Sequence, residues 1–325
     1  MSTATEALSA TSHPLAGKRM TGAEMVVQVL ADEGVDTIFG YSGGAILPTY
    51  DAVFRHNEAR RDDQGQVPMP LIVPANEQGA GFMAAGFARA TGEVGVCMVT
   101  SGPGATNTVT PVRDCLADSI PIVVICGQVP THVIGTDAFQ EAPVSAIMGS
   151  VAKHVFLVTD PARLEATVRT AFEIARSGRP GPVVIDIPKD VQNAIGEFRG
   201  TGLLPLKSYR QRVQAVADNA LSASAAKAFF QLLAESHRPL LYVGGGVING
   251  NAAPALRRFA ERFQIPVATT LMGIGAVDTT DELSLKMLGM HGTAFANYAV
   301  DDCALLIAVG ARFDARVATD PGSCA

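Results

Sequence analysis

The sequence contains no long hydrophobic run, no cluster of basic residues and no cysteine pair with metal or redox spacing. No apolar run reaches the roughly 18 residues that a membrane-spanning helix needs, so we expect no membrane span. The net charge of −6 without a basic patch argues against nucleic acid as the main partner. The five cysteines follow no ligand spacing and predict no metal site: Cys97, Cys115, Cys126, Cys303 and Cys324.

The N-terminal segment also lacks the apolar core of a secretory signal. Three of the five cysteines lie in or beside apolar runs, as buried thiols do, and these two features together predict a cytoplasmic protein. Residues 1–19 are rich in Ser, Thr and Ala without periodicity, and we expect a disordered tail there. A transit peptide is the alternative, but Glu6 is present and arginine is scarce before Arg19.

The sequence does contain 48% hydrophobic residues, 32 glycines and 19 prolines, the last two in short clusters between apolar runs. Runs that are apolar on both faces alternate with helical segments, which indicates a parallel sheet covered on both sides. We predict an α/β fold with a doubly wound first domain over residues 20–191 and an interdomain linker over 192–217. For residues 218–325 we predict an incomplete Rossmann-like domain, because the sequence pattern shows about three strands where such a domain usually has five or six. We therefore expect a truncated chain.

Ligands of open parallel sheets bind at the carboxyl ends of strands, and glycine-bearing turns follow several predicted strands here. The first domain places Glu77 at such a turn, between the apolar run LIVPA and a helix of small residues. A buried carboxylate needs a hydrogen-bond partner, which makes Glu77 the leading candidate site residue. The alternative is an ordinary acid at a helix N-terminus, favoured by the helix dipole. In the second domain Gly244–Gly246 is suited to cradling phosphate, although full GxGxxG spacing is missing.

Seven motifs, in this order, resemble one enzyme family. They are GYSGGAILPTYDA, NEQGAGFMAAGFARATG, TSGPGATN, IGTDAFQE, SGRPGPVVIDIPKDV, MLGMHGT and GARFD. From Met20 to Arg316 the sequence is similar to the catalytic subunits of acetolactate (acetohydroxyacid) synthases, which are thiamine-diphosphate-dependent enzymes. The motifs GTDAFQE and MLGMHGT are the most specific, since glycine turns and a single glutamate are widespread.

The resemblance implies roles for individual residues. Glu77 matches the glutamate that hydrogen-bonds the aminopyrimidine ring of thiamine diphosphate. Gly44 matches the loop beside the reactive carbon, and Gln140 matches a side chain that faces the substrate. Phe139 and Lys189 match residues of the substrate channel. The surface for FAD, which is structural in this family, is matched by Arg179, His291, Gly292, Gly310 and Arg312.

The resemblance also implies cofactors and partners. It implies 2-keto acid substrates, with pyruvate decarboxylated and joined to a second 2-keto acid in branched-chain amino-acid synthesis. It implies a homodimer through the pyrimidine-binding domain and, as a possible partner, a small regulatory subunit. In the family Mg²⁺ and the diphosphate are held by a third domain with a GDG…N motif, which this sequence lacks, so we expect the chain alone to be inactive. Two positions depart from the family pattern: Asn76 replaces a histidine and Ser42 a proline, and residues 60–70 look longer than usual.

Two other hypotheses stay open. The chain is a different thiamine-diphosphate enzyme, of the pyruvate oxidase or glyoxylate carboligase type, although the carboligase typically lacks the glutamate that Glu77 matches. Alternatively it is a non-catalytic assembly module that pairs with a separate chain. The helix after Glu77 suits that role, because its Gly and Ala residues allow tight helix packing.

Overall fold

A computed structural model describes residues 13–219 and 221–313 of the chain. Contacts divide the chain into two compact units, of which unit 1 ends at Val216 and unit 2 starts at Ala217. Each unit is built on a parallel sheet with helices, so the predicted α/β class is confirmed. In the described ranges no helix is both long and apolar enough to cross a membrane. The first 12 residues of the predicted tail and residues 314–325 of the predicted second domain lie outside the described residues.

The main sheet of unit 1 has six parallel strands in the order β3-β2-β4-β5-β7-β6. The order extends from β2 and β4 towards both edges, which is the doubly wound pattern. The central strands β4, β5 and β7 are buried along their whole length, as strands covered on both faces are. The strands of unit 1 are β1 (Arg19–Thr21), β2 (Ile38–Tyr41), β3 (Leu71–Ile72), β4 (Gly95–Val99), β5 (Ile122–Gln128), β6 (His154–Leu157), β7 (Val183–Pro188) and β8 (Ile195–Glu197).

Helices cover both faces of this sheet. One face packs against α1, α2 and α7 in a continuous apolar core. On the other face α3 approaches the sheet closely through Ala80, Ala84 and Ala85, which are fully buried. The helices are α1 (Gly22–Asp32), α2 (Leu47–Glu58), α3 (Glu77–Thr91), α4 (Pro103–Asn107), α5 (Val109–Asp118), α6 (Val144–Gly149), α7 (Leu164–Arg176), α8 (Lys189–Asn193) and α9 (Lys207–Ala217).

Local capping explains where two of these helices begin and end. Helix α1 begins with a capping box, because Thr21 and Glu24 each bond the backbone of the other. Helix α3 is capped at its start by Asn76, whose side chain accepts from the backbone of Gly79, and at its end by Gly92 in the left-handed conformation. The small residues between these caps make α3 a helix that fits against its neighbours at short distance.

Two segments of unit 1 are more ordered than the sequence predicts. Strand β1 pairs antiparallel with β8, and the amide of Gly17 donates to Phe198 O at 2.9 Å, so the predicted disordered tail already has structure before Met20. The predicted linker 192–217 contains β8 and α9, and it buries Phe198 and Leu204 against unit 1. Phe198 is isolated among polar residues and Leu204 lies in the short stretch LLPL, and neither belongs to a helical or strand period that would predict its burial.

Unit 2 has a four-stranded parallel sheet in the order β11-β10-β9-β12. Three strands were predicted, and β11 is the addition. Its sequence SLKM is half exposed and includes Lys286 with a φ of 63°, so it has no apolar strand pattern. The elements are α10 (Ala223–Glu235), β9 (Pro239–Val243), α11 (Gly245–Asn249), α12 (Ala253–Phe263), β10 (Val267–Thr269), β11 (Ser284–Met287), α13 (Ala294–Asp302) and β12 (Leu305–Val309).

Candidate active site

Glu77 occupies the first turn of α3, close after β3, at the carboxyl end of the sheet of unit 1. Its side chain is only 8% exposed. The cap at Asn76 fixes where the helix begins and therefore where the Glu77 side chain leaves the backbone. The dipole of α3 favours a negative charge at this end, which offsets part of the cost of burial. The surroundings of small residues thus place a carboxylate out of water, as the sequence pattern predicts.

The two oxygens of this carboxylate have different surroundings. The side-chain amide of Asn107, at the end of α4, donates to Glu77 Oε2 at 2.8 Å. Within the described part of the chain no donor reaches Oε1. A Cβ placed on Gly104 would lie 3.7 Å from that oxygen, so Oε1 faces the turn that starts α4. One oxygen is therefore held by the protein, and the other can accept a hydrogen bond from a ligand.

The groups around Glu77 are buried as well, since Tyr50 is 5% exposed and Cys97 is fully buried. Burial raises the pKa of the Tyr50 hydroxyl well above its usual value, and the nearby Cys97 thiol and Glu77 carboxylate raise it further. Burial likewise raises the pKa of Cys97, with a further contribution from Glu77. Tyr50 Oη donates to Met98 O at 3.0 Å, so it is fully engaged. Both neighbours therefore stay neutral at ordinary pH.

Gly44 lies in the loop between β2 and α2, and a Cβ placed on it meets nothing within 4 Å, so it borders open space. The loop is held from three sides. The amide of Ala45 donates to Thr100 Oγ1 at 3.3 Å, and Gln192 Nε2 donates to Ala45 O at 2.8 Å. From β5, a Cβ on Gly127 would come within 2.6 Å of the Ala45 backbone, so glycine is required there.

Phe139 and Gln140 lie on the loop from Val129 to Ala142, between β5 and α6. Phe139 is 88% exposed, and Gln140 has a φ of 56° in the left-handed region. Gly102 packs directly against this part of the loop, because a Cβ on it would lie 2.3 Å from Gln140 O. Gly102 itself has a φ of 45°, a second reason for glycine. The turn that faces Glu77 through Gly104 therefore also positions Gln140.

Lys189 is the first residue of α8 and is half buried. The next residue, Asp190, accepts hydrogen bonds from the backbone and hydroxyl of Thr131, in the loop that carries Gln140. Gln192 of the same helix bonds the Gly44 loop. The structure thus links the segments carrying Glu77, Gly44, Gln140 and Lys189 through the segment Thr100–Asn107 and helix α8.

The residues that match the FAD surface fall into two sets, one in each unit. In unit 1 the Arg179 guanidinium donates to Ser119 Oγ at 2.7 Å and to Leu116 O at 2.8 Å, and so caps the end of α5. In unit 2 His291 and Gly292 line a cavity of about 220 Å³ beside β10 and β11.

Two more predicted residues lie at the end of β12 in unit 2. Gly310 O accepts from the Gly246 amide at 2.9 Å, and Arg312 O accepts from Tyr242 Oη at 2.8 Å. The Arg312 side chain is exposed. Gly246 belongs to the triple glycine that follows β9, and Gly310 follows β12. The glycines at the ends of these two strands are therefore in contact. Among the described residues no group of three or more His, Cys, Asp or Glu side chains is arranged to hold a metal ion.

Sequence reasoning missed two residues that the structure puts at the centre of this region. Asn107 bonds Glu77, and Gln192 bonds Ala45 O, Ile187 O and Thr49 Oγ1 with its buried side chain. Asn107 is the last residue of the motif TSGPGATN, so the motif contained the signal. Gln192 follows the motif ending KDV by a single position, and no local pattern marks it.

Comparison with known proteins identifies both units. Residues 20–147 match the family model described as "Thiamine pyrophosphate enzyme, N-terminal TPP binding domain". Residues 226–323 match the model described as "Thiamine pyrophosphate enzyme, central domain". The two matches occur in unit 1 and unit 2 respectively.

Curated relatives carry the name acetolactate synthase. The chain is 50% identical over 93% of its length to the large subunit of Parasynechococcus marenigrum, of which it covers 47%. It is 48% identical over 92% of its length to the mitochondrial catalytic subunit of Saccharomyces cerevisiae, covering 42% of that protein. It is 46% identical over 94% of its length to the large subunit of Corynebacterium glutamicum, covering 46% of that protein. The chain thus spans somewhat less than half the length of these relatives. It belongs to the thiamine pyrophosphate enzyme family and carries that family's N-terminal TPP-binding domain and central domain.

Proposed function

We propose that this chain forms the pyrimidine-binding and central domains of an acetolactate synthase catalytic subunit. One observation carries the proposal: the buried Glu77 carboxylate, with Oε2 held by Asn107 and Oε1 turned towards the Gly102–Gly104 turn. The names of the relatives support the same activity. The proposed reaction is decarboxylation of pyruvate and joining of the remaining two-carbon unit to a second 2-keto acid.

The residues present fit the aminopyrimidine ring of thiamine diphosphate. A protonated ring nitrogen needs a buried acceptor, and Glu77 Oε1 is one. The dry surroundings strengthen such a bond because competing water is excluded. When bound, thiamine diphosphate supplies the carbon nucleophile for attack on a 2-keto acid. The part of this chain is to hold and exchange the proton at Glu77 Oε1 and to leave room at Gly44.

The substrate side of the proposed site is formed by the loop Val129–Ala142 and α8. Gln140 offers an amide that can donate to or accept from a keto acid, and Phe139 offers an exposed aromatic wall. Lys189, at the start of α8, provides a cation for the substrate carboxylate. The bond between Asp190 and Thr131 ties α8 to the loop, which fixes these groups relative to one another.

Three further features belong to the proposal. The proposed FAD residues of unit 2 are His291, Gly292, Gly310 and Arg312, at its glycine-rich strand ends, and Arg179 of unit 1 is proposed as an FAD residue from the family match alone. Mg²⁺ and the diphosphate are held by a domain with a GDG…N motif, which is not found in this sequence. The protein acts in the cytoplasm, and a small regulatory subunit is a possible partner. The chain by itself is expected to form no acetolactate.

The proposed assembly is a homodimer through α3. The outward side of α3 exposes Phe82 and Met83 at 41% and 42%, next to the exposed Gly86. The helix carries two charged residues, Glu77 and Arg89, of which Arg89 is paired with Asp114 at 2.8 Å and Asp118 at 2.9 Å. An uncharged helix face of this kind suits contact with a second copy.

The experiment uses a chimera in which this chain is followed by the remaining part of the Corynebacterium glutamicum large subunit. We expect acetolactate formation from pyruvate in the presence of thiamine diphosphate, Mg²⁺ and FAD. Glu77→Gln keeps the shape but cannot take the proton, and kcat should fall about 10²–10⁴-fold. Glu93→Gln, an exposed acid just after the end of α3, is the matched control and should retain activity.

Two outcomes would contradict the proposal. If Glu77→Gln retains the full kcat of the chimera, Glu77 has no role in proton transfer and the proposal is wrong. If the chimera converts pyruvate to another product, such as acetyl phosphate or acetate, the chain belongs to a different thiamine pyrophosphate enzyme.

A further inference from the structure

A single buried amide holds both ends of the loop Val129–Ala142. Gln128, the last residue of β5, is 3% exposed. Its Oε1 accepts from the Val129 amide at 2.9 Å, at the start of the loop. Its Nε2 donates to Ala142 O at 3.2 Å, at the end of the loop, and to Asp186 Oδ2 at 2.9 Å. The orientation of this amide therefore controls where the loop leaves and rejoins the unit.

Asp186, on β7, fixes the orientation of the Gln128 amide. It is 1% exposed, and its Oδ1 has no hydrogen-bond partner among the described residues. A buried carboxylate with one donor for two oxygens favours the protonated form. Burial accordingly raises the pKa of Asp186 to about 7, while the hydrogen bond from Gln128 acts to lower it. Asp186 thus changes charge near neutral pH in a place that water does not reach.

The elements packed against β7 bring few other titratable groups to this position. In the sheet Asp186 lies between Cys126 of β5 and Leu157 of β6. The thiol of Cys126 has a pKa raised well above its usual value by burial and by Asp186, so it stays neutral. From α6 the buried residues are Val144 and Met148, which do not titrate.

The remaining neighbours are helices α7 and α8. Helix α7 packs on the opposite sheet face with Val183, Ile185 and Ile187, and its buried Glu165 and Arg169 pair with each other. Helix α8 carries Lys189 and Asp190, and the Asp190 carboxylate is engaged by Thr131. Among the groups that face it from the described elements, Asp186 is the one expected to titrate between about pH 6 and 8.

We propose that Gln128 and Asp186 are positioning residues for the loop Val129–Ala142, and that loss or gain of a proton at Asp186 changes how firmly the two ends of the loop are held. An ionised carboxylate is a stronger acceptor than a protonated one, so the Gln128 amide is held more firmly when Asp186 is ionised. The loop carries Phe139 and Gln140. That this loop faces the substrate rests on the proposed function, whereas the roles of Gln128 and Asp186 in holding its ends do not.

The test reads the loop directly. The sequence contains no tryptophan, so Phe139→Trp places a single fluorescent reporter on the exposed part of the loop. In the 325-residue chain we expect the acrylamide quenching constant of this Trp to fall in one sigmoidal step with rising pH, with a midpoint near 7. Adding Asp186→Asn, which still accepts from Gln128 but cannot ionise, should abolish the step.

A second variant removes the amide and leaves the carboxylate in place. Gln128→Leu deletes the group through which Asp186 acts on the loop ends, so the step should disappear and the quenching constant should stay at its high, low-pH value. It also serves if Asp186→Asn fails to fold, as judged by circular dichroism. His132→Gln, which removes the loop histidine, and Asp160→Asn, an exposed acid after β6, should leave the step in place.

The proposal is overturned if the step survives Asp186→Asn, survives Gln128→Leu, or disappears with His132→Gln. It is equally overturned if the quenching constant does not change between pH 5.5 and 8.5. The measurement needs no cofactor and no third domain. A loop that titrates as expected in a chain whose chimera forms no acetolactate would therefore leave this inference standing and reject the proposed function alone.

Discussion

The bond between Asn107 and Glu77 makes the two oxygens of one carboxylate unequal. Asn107 donates to Oε2, and Oε1 is left towards the turn at Gly104. A side-chain amide suits this task because it donates without adding charge, whereas a lysine or arginine would neutralise the acid. The identity of residue 107 therefore decides whether Glu77 keeps both its charge and its orientation.

Asn107→Asp tests this at the level of one atom. The variant replaces the donor by a second carboxylate at hydrogen-bond distance from Glu77. Like charges at that distance repel, so at pH 8 we expect unit 1 to lose about 1–3 kcal/mol of unfolding free energy. The measurement is hydrogen exchange of the most protected amides in β4 and β5. In the chimera the same variant should lower kcat.

The control for this substitution is Gln78→Glu, which adds the same charge one residue after Glu77 on the exposed side of α3. A negative charge in the first turn of a helix is favoured by the dipole, so the change should stay within about 0.5 kcal/mol. Equal losses in the two variants would show that added charge alone, and not the bond to Glu77, explains the effect.

Gly127 shows how a residue without a side chain shapes the site. Gly127→Ala would place a Cβ within 2.6 Å of the Ala45 backbone, which cannot move without displacing the Gly44 loop. We expect unit 1 to be destabilised by about 1–3 kcal/mol, measured by urea unfolding. Gly149→Ala is the control, because a Cβ there meets nothing within 4 Å. A neutral Gly127→Ala would mean that the loop between β2 and α2 is not held against β5.

At the scale of elements, the loop Val129–Ala142 is braced from inside as well as at its ends. The Glu141 carboxylate accepts from the backbone amides of Gly135 and of Ala138, the latter at 3.0 Å. These bonds hold Gly135, Asp137 and Gln140 in left-handed conformations that most residues avoid. Since the bonds are stronger to an ionised acceptor, they lower the pKa of Glu141.

The sign of the pH dependence follows from that shift. A carboxyl group whose pKa is lower in the folded loop contributes stability that is present above its ordinary value of 4.5 and is lost as the pH falls through the folded value. We expect the Gly135 and Ala138 amides, followed by NMR and corrected for intrinsic exchange, to keep constant protection above about pH 5 and to lose it below 4.5.

Glu141→Gln should lower the protection of these two amides above about pH 5 and remove the acid transition, because a neutral amide is a weaker acceptor than an ionised carboxylate. Glu93→Gln, an exposed acid outside the loop, is the control and should leave the transition unchanged. If Glu141→Gln protects the amides as well as the native residue does, the brace does not depend on charge.

The same scale shows what the sequence predicts and what it does not. The runs that are apolar on both faces were predicted correctly: β4, β5 and β7 are buried strands of a parallel sheet covered on both sides. The missed elements β8, α9 and β11 are short or polar. They are stabilised by neighbours distant in sequence, as in the pairing of β8 with β1, and such contacts leave no local pattern.

For the site, the sequence predicted the burial of Glu77 but not its partner. The contact with Asn107 joins residues that are 30 positions apart, and that between Gln128 and Asp186 joins residues 58 apart. Strand alternation places Asp186 among buried valines and isoleucines, so a pattern argument treats it as one polar residue in an apolar run. Only the fold brings the Gln128 amide to it. Whether the predicted residues act as proposed is decided by the chimera.

For the whole molecule, the question is whether two copies meet at α3. The outward face of this helix combines two half-exposed large apolar side chains, Phe82 and Met83, with small neighbours such as Gly86 and Ala90. Large and small residues alternating on one helix face allow two such helices to approach closely and bury the large ones. In a dimer formed through this face, a glutamate in its middle would be desolvated without gaining an oppositely charged partner.

Met83→Glu is therefore expected to convert a dimer of the 325-residue chain into a monomer, measured by light scattering coupled to size-exclusion chromatography. Its control is Ile195→Glu, which adds the same charge at an exposed apolar residue on β8. The dimer should survive that change, because β8 pairs with β1 and not with α3. A native chain that is monomeric at every accessible concentration, or a Met83→Glu variant that remains dimeric, would place any assembly on another surface. A native dimer that only Met83→Glu disrupts would mean that α3 carries the contact, because both variants add the same charge.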